Sequence, residues 1–229
     1  MDANTEQSLI DIYRNAFINS YEEGGGYGYR FHHGVRVMTY CKKFLELEEF
    51  KDRDDIDTTV LLAGALFHDI GKVKAMKADG EIVYESEADK HHETIGSEII
   101  ADYIGNVITD PATMKRIETV ILESGDNTKQ STIESKLVKD ADRLDNYGYH
   151  VVWRHITGTT YNKRTDNILD LERYWVQTGA KERAKRYLEQ FNFDTIRAIA
   201  AARYDDFNHL IDKIRAEIAG DDIVDTERS

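Results

Sequence analysis

Thr58-Thr59-Val60-Leu61-Leu62-Ala63-Gly64-Ala65-Leu66-Phe67-His68-Asp69-Ile70-Gly71-Lys72 is the stretch that decides the fold of this chain. Asp57 stands ahead of it as a side-chain N-cap, and the residues up to Phe67 are apolar and small. They predict a buried helix that delivers two ionisable side chains, His68 and Asp69, at its end. Burying an imidazole and a carboxylate there is costly unless something compensates. A divalent metal compensates well, because neutral imidazole and carboxylate are both good ligands for it.

Working outward from this segment, nearly everything reads as helix. Asn4 or Thr5 caps a first helix to about Tyr21, with Leu9, Ile12, Tyr13, Phe17 and Tyr21 on one face. Glu23-Gly24-Gly25-Gly26-Tyr27-Gly28 breaks the chain, and a second helix follows His33, with Val37, Tyr40, Cys41, Phe44 and Leu45 inward. Asp52 to Asp57 is a charged loop. Lys74 to Asp89 is polar, with a short hairpin around Asp79-Gly80. Further helices run from about His92 to Ile104, from Asp110-Pro111, carrying Ile117, Val120 and Ile121, to a break at Gly125-Asp126-Asn127, and from Ile133 to about Val152. Gly158 to Asp170 reads as a loop, and two helices, Lys181 to Phe191 and Phe193 to Ala219, complete the chain.

Composition narrows the function classes. With 229 residues the chain can bury one sizeable core, and its single proline disfavours an all-β fold. No run approaches about 18 consecutive apolar residues, and the N-terminus does not read as a signal peptide. The lone cysteine, Cys41, excludes an internal disulfide and reads as a buried thiol. These features imply a cytoplasmic protein. A formal net charge of −13 argues against long nucleic acids and anionic membranes as partners. It leaves room for a small phosphorylated substrate, since a bound metal reverses the local sign. A homo-oligomer stays open.

Other helices bring matching ligand types. His33 opens His33-Gly34-Val35-Arg36-Val37. Asp142 lies in Lys139-Asp140-Ala141-Asp142-Arg143-Leu144-Asp145, among inward-facing Val138, Ala141 and Leu144, where an unpaired carboxylate would be expensive. Taken singly, His33 could be a capping residue, and Asp142 could be salt-bridged to Arg143 or Lys139. The run begins like a calcium-binding loop but lacks that loop's later ligands and glycine, and it reads as helix.

Together these residues resemble the H…HD…D signature of the HD-domain superfamily of metal-dependent phosphohydrolases, over roughly Tyr29 to Tyr149. The resemblance implies an all-α fold, an HD-domain helical bundle with a C-terminal helical extension. It divides the chain into an N-terminal helix at 1–24 packing on the core, an HD metal-binding core at 25–160 and the extension at 161–229, compact as one domain. It implies His33, His68, Asp69 and Asp142 as metal ligands. The metal would be a divalent transition ion (Mn, Fe, Ni, Co or Zn) or Mg. Asp140 to Asp145 followed by Gly148, and the late Ala202-Arg203…Phe207 helix, are especially similar to small stand-alone HD proteins.

His92-Glu93-Thr94-Ile95-Gly96 resembles the helix start that gives two-metal members a further ligand; His92, not His91, has the right offset from Gly96. It is expected as a second-metal or second-sphere residue, or else as part of a solvated helix end. Such members usually add another His one helix later, where this chain has Ile121-Leu122-Glu123-Ser124-Gly125. Glu123 either replaces that imidazole or is a surface carboxylate. Lys72 is similar to a lysine placed near the scissile phosphate in HD enzymes, where its charge would be catalytic alongside Asp69. Arg36 either reaches the same pocket or pairs with an acid, and Arg143 either binds a substrate phosphate or forms a salt bridge. Tyr147, Tyr149, His150, Arg154, His155, Lys163 and Arg164 could hold a nucleotide or be ordinary surface with core tyrosines.

The implied activity is hydrolysis of a small phosphate ester, such as a nucleotide, a phosphomonoester or a phosphodiester. A non-catalytic, regulatory nucleotide-binding module and a di-iron HD-fold oxygenase are the alternatives. The oxygenase needs more imidazoles at two irons than the motif residues place.

Overall fold

The computed structural model describes residues 1–22, 25–125, 129–152, 154, 175 and 179–225, with the backbone alone at 224 and 225. It is overwhelmingly helical and forms two compact units, residues 1–145 and 146–229.

The first unit holds α1 (Ala3–Phe17), α2 (Tyr29–Phe44), α3 (Thr58–Phe67), α4 (Glu87–Lys90), α5 (His92–Ile104), α6 (Pro111–Glu123) and α7 (Ile133–Leu144). A 3-10 helix, Ile70–Ala75, follows α3. Helix α3 is the hub: every residue from Val60 to Phe67 is buried, and α2, α6 and α7 pack around it. A helix apolar on all sides has to be interior, and its N-cap is Asp57, whose carboxylate accepts from the N–H groups of Thr59 and Val60. Asp110 caps α6 in the same way, with Pro111 at its first position.

Several boundaries differ from the sequence reading. The first helix is capped by Asp2 and stops at Phe17, and Tyr21 instead joins β1 (Tyr21–Glu22), antiparallel to β2 (Gly26–Tyr27). Helix α2 begins before His33 rather than after it, because Gly28, at φ +66°, turns the chain in the left-handed region just ahead of Tyr29. His33 therefore sits one turn inside α2. The expected turn around Asp79-Gly80 is present as an antiparallel bridge between Met76 and Ile82, and Glu81 bridges Tyr21. Helix α7 ends at Leu144, short of the expected Val152.

The second unit contains α8 (Ala180–Tyr187), a 3-10 turn at Leu188–Gln190 and α9 (Asp194–Ala219). Ile196, Ala200, Tyr204, Phe207 and Ile211 form the buried stripe of α9. The Trp175 ring meets Phe207 edge-on at 4.6 Å. Tyr147 donates to the Ala184 carbonyl at 2.8 Å, whereas Tyr149 is exposed. His155, Lys163 and Arg164 lie outside the described residues. Among the described residues no helix is long and apolar enough to cross a membrane.

Candidate metal centre

Three helices converge on one point. His33 comes from α2, His68 caps the C-terminus of α3 with Asp69 next to it, and Asp142 comes from the last turn of α7. One ligand atom each from His33, His68 and Asp142 lies within 4.8 Å of the others. The Nε2 atoms of His33 and His68 are 3.2 Å apart. Asp142 Oδ1 is 3.3 Å from His33 Nε2 and 3.7 Å from His68 Nε2. Asp69 Oδ2 closes the cluster, 3.6 Å and 3.3 Å from the same two nitrogens.

The imidazoles are oriented from behind. His33 Nδ1 is 2.7 Å from Asp145 Oδ2, and His68 Nδ1 is 2.8 Å from the Ala65 carbonyl. With each Nδ1–H donated outward, both Nε2 lone pairs point inward, as metal-binding histidines are usually held. Two acceptors aimed at each other need a cation or a proton between them. Burial disfavours charge on His68, but Asp69 and Asp142 outweigh it and raise its pKa to about 10. Burial would likewise raise Asp142, yet hydrogen bonds with His33 and His68 hold it well below the usual carboxylate range. Asp69 is also held well below that range, where Arg30, His68 and Lys72 overcome the effect of burial. The donor set thus fits a divalent ion in chemistry and in charge.

His92 belongs to the same cluster. Its Nδ1 is 2.6 Å from the Asp89 carbonyl, and its Nε2 is 3.0 Å from Asp69 Oδ1. Gly71 makes this possible: a Cβ there would lie 1.9 Å from the His92 carbonyl oxygen and 2.7 Å from the Gly96 nitrogen. The 3-10 helix therefore runs against the first turn of α5, which puts His92 beside Asp69. His91 is exposed. Glu93 Oε1 is 3.3 Å from His92 Nε2, a neighbour that no sequence signal marked. Glu123 instead accepts from the Ser131 backbone N–H and hydroxyl.

The cations around the cluster are mostly committed. Lys72 is buried and pairs with Asp89 at 2.7 Å. Arg36 makes two bonds to the Asp145 carboxylate, at 2.8 and 2.9 Å. Arg143 pairs with Asp140 at 3.1 Å. Arg30, which the sequence reading did not single out, is buried between Asp69 and Glu22; its Nε and Nη2 each reach Glu22 at 2.6 Å. Tyr29 stacks on the His33 ring, centroids 5.9 Å apart.

The HD-domain family model matches residues 30–147, which is just over half of the sequence and spans this cluster. The chain belongs to the HD-domain family. An HD domain implies a divalent metal, and His33, His68 and Asp142 are a possible site for it. Among solved structures, the chain resembles YpgQ from Bacillus subtilis at 17% identity and a TM-score of 0.64, covering 95% of this chain and 97% of that one. An HD-superfamily hydrolase from Bacillus thuringiensis gives 17% identity and 0.65, with 94% and 97% covered. A predicted HD-superfamily hydrolase from an uncultured Thermotogales bacterium gives 18% and 0.59, with 92% and 91% covered. At these identities the likeness shows the fold alone. No curated protein matches the sequence.

Proposed function

We propose that this HD-domain protein is a metal-dependent phosphohydrolase acting on a small phosphate ester. The observation that carries the reading is the inward convergence of the His33 and His68 Nε2 atoms on the carboxylates of Asp69 and Asp142, with each Nδ1 held from behind. His33, His68, Asp69 and Asp142 would hold the ion, and His92 is the further ligand if a second ion binds. A divalent ion there supplies Lewis acidity toward a phosphoryl oxygen and lowers the pKa of a coordinated water.

The chain's own groups do the rest. Asp69 faces three imidazoles, with Oδ2 toward His33 and His68 and Oδ1 toward His92, so it can orient a water between them. Lys72 adds positive charge beside Asp69, where negative charge develops on the phosphoryl group. A nucleotide is the favoured substrate class, supported by the ADP complex of YpgQ, which shares this fold.

The test is metal content by elemental mass spectrometry on wild type and Asp142→Ala, with a phosphoester and nucleotide panel run on the same samples. Metal and turnover in wild type, both lost in the variant, are expected. Wild-type protein that takes up no divalent metal even after reconstitution would overturn the reading.

A further inference from the structure

Lys139 is a buried cation beside the cluster. Its side chain is 9% exposed, and its ammonium donates to the carbonyl of Ser124, the C-cap of α6. That carbonyl belongs to the negative end of a helix dipole, a natural seat for an ammonium. The only carboxylate near it among the described residues is Asp142, with Oδ2 4.0 Å away.

This sets Lys139 apart from its neighbours. Arg30 has Glu22, Lys72 has Asp89, Arg36 has Asp145 and Arg143 has Asp140. Lys139 has only a residue whose charge is spent on the metal once an ion is bound. A buried ammonium so left is unbalanced, and an anion restores the balance.

The direction of access agrees. The side chains of His33, His68 and Asp69 are 6%, 3% and 7% exposed, whereas that of Asp142 is 27% exposed. Asp142 is thus the most exposed of the four, and the Lys139 ammonium lies 4.0 Å from its Oδ2. From the geometry we infer that Lys139 is a substrate-binding residue, its ammonium receiving a phosphoryl oxygen of the ester at the open side of Asp142. This rests on the phosphohydrolase reading and adds to it a cation that meets the substrate directly. Lys72, by contrast, acts on Asp69 from within its pair with Asp89.

The experiment titrates inorganic phosphate into the Mn2+-loaded full-length protein by calorimetry, for wild type, Lys139→Met, Lys139→Arg and a surface control, Lys115→Met. Mn2+ affinity is measured separately for each. Lys139→Met is expected to bind Mn2+ at least as tightly as wild type and phosphate about tenfold to hundredfold more weakly. Lys139→Arg should recover part of the loss, and Lys115→Met should match wild type. Because Lys139→Met also loses the α6 cap, wild type labelled with 15N at lysine and loaded with diamagnetic Zn2+ in place of Mn2+ provides a second readout: phosphate should shift the Lys139 Nζ resonance. Wild-type phosphate affinity in Lys139→Met, or an unmoved Nζ resonance, would reduce Lys139 to a capping residue and leave the phosphohydrolase reading standing. Wild type that binds neither Mn2+ nor phosphate would overturn both.

Discussion

The Nε2 atoms of His33 and His68 face each other at 3.2 Å, each ring having its Nδ1 turned to an acceptor outside the cluster. Neutral imidazoles in that arrangement would oppose lone pair to lone pair. In the metal-free protein a proton on His68 would relieve this, and a metal ion would take the proton's place.

Metal binding should therefore be linked to pH. The folded-state pKa of His68, about 10, lies above its unfolded value near 6.5. Its stabilising contribution is complete below pH 6.5 and is lost as pH rises through 10. The metal-free protein should lose about 2 kcal/mol or more across this window, read from urea unfolding at intervals between pH 6 and 10. Apparent metal affinity should weaken about tenfold per unit as pH falls below 10, because each ion displaces a proton. A metal affinity flat with pH would contradict the protonated state.

Asp145 should matter to the metal without touching it. Its carboxylate accepts from His33 Nδ1 and from two nitrogens of Arg36 while only 1% exposed. Asn in its place offers one oxygen and an amide that cannot accept. Asp145→Asn should weaken metal affinity about tenfold to hundredfold with the helical circular dichroism retained. Unchanged affinity would mean that His33 is oriented by packing alone.

Gly71 and Gly64 should respond differently to the same methyl group. A Cβ at Gly71 meets backbone, 1.9 Å from the His92 carbonyl oxygen, whereas one at Gly64 meets the Val120 side chain at 2.5 Å. A side chain can rotate away; the first turn of α5 has to shift as a unit. Gly71→Ala should lose about 3 kcal/mol and Gly64→Ala less, compared by melting temperature. Equal losses would show that α5 moves as easily as one valine.

Much of this candidate site is readable in the sequence because its candidate ligands stand in local patterns. His68 and Asp69 end an unmistakably apolar helix, and Asp142 sits among inward-facing neighbours. Cys41 reads as interior and is interior. What escaped is what the ligands lean on. Asp145 reaches His33 across 112 residues, and Arg30 joins Glu22 to Asp69, a residue 39 positions further on. Such pairs exist only once α2, α3 and α7 have packed, and no periodicity encodes them. The start of α2 was misplaced for a related reason: the turn at Gly28 and the anchoring of Arg30 by Glu22 are tertiary facts written over a glycine-rich stretch.

Cys41 should be inert while the protein is folded. Burial, with a smaller contribution from Asp140, pushes its thiol far up, so almost no thiolate forms at neutral pH. Its sulfur packs 3.9 Å from the Leu137 carbonyl, inside the contact between α2 and α7. Alkylation by iodoacetamide should occur only as fast as the protein opens and should slow when metal is bound. Rapid labelling of native protein would show that α2 and α7 part readily.

Arg30 carries the largest expected stability effect. Its guanidinium is buried, its Nε and Nη2 on Glu22 and its Nη1 on Asp69, and Glu22 is itself fully buried. Removing the cation leaves Glu22 in the interior with the Tyr84 hydroxyl as a hydrogen-bond donor, too little for a full charge. Arg30→Met should therefore destabilise the metal-free protein by about 3–5 kcal/mol. Adding Glu22→Gln removes the stranded charge, so the double variant should be more stable than Arg30→Met alone, although it carries one more substitution. Urea unfolding of wild type, both single variants and the double variant completes the cycle. If the double variant is less stable than Arg30→Met, the loss comes from packing of the arginine stem rather than from an unpaired carboxylate. Restored stability would identify Arg30 as the counter-ion that allows Glu22 to lie buried beside the cluster.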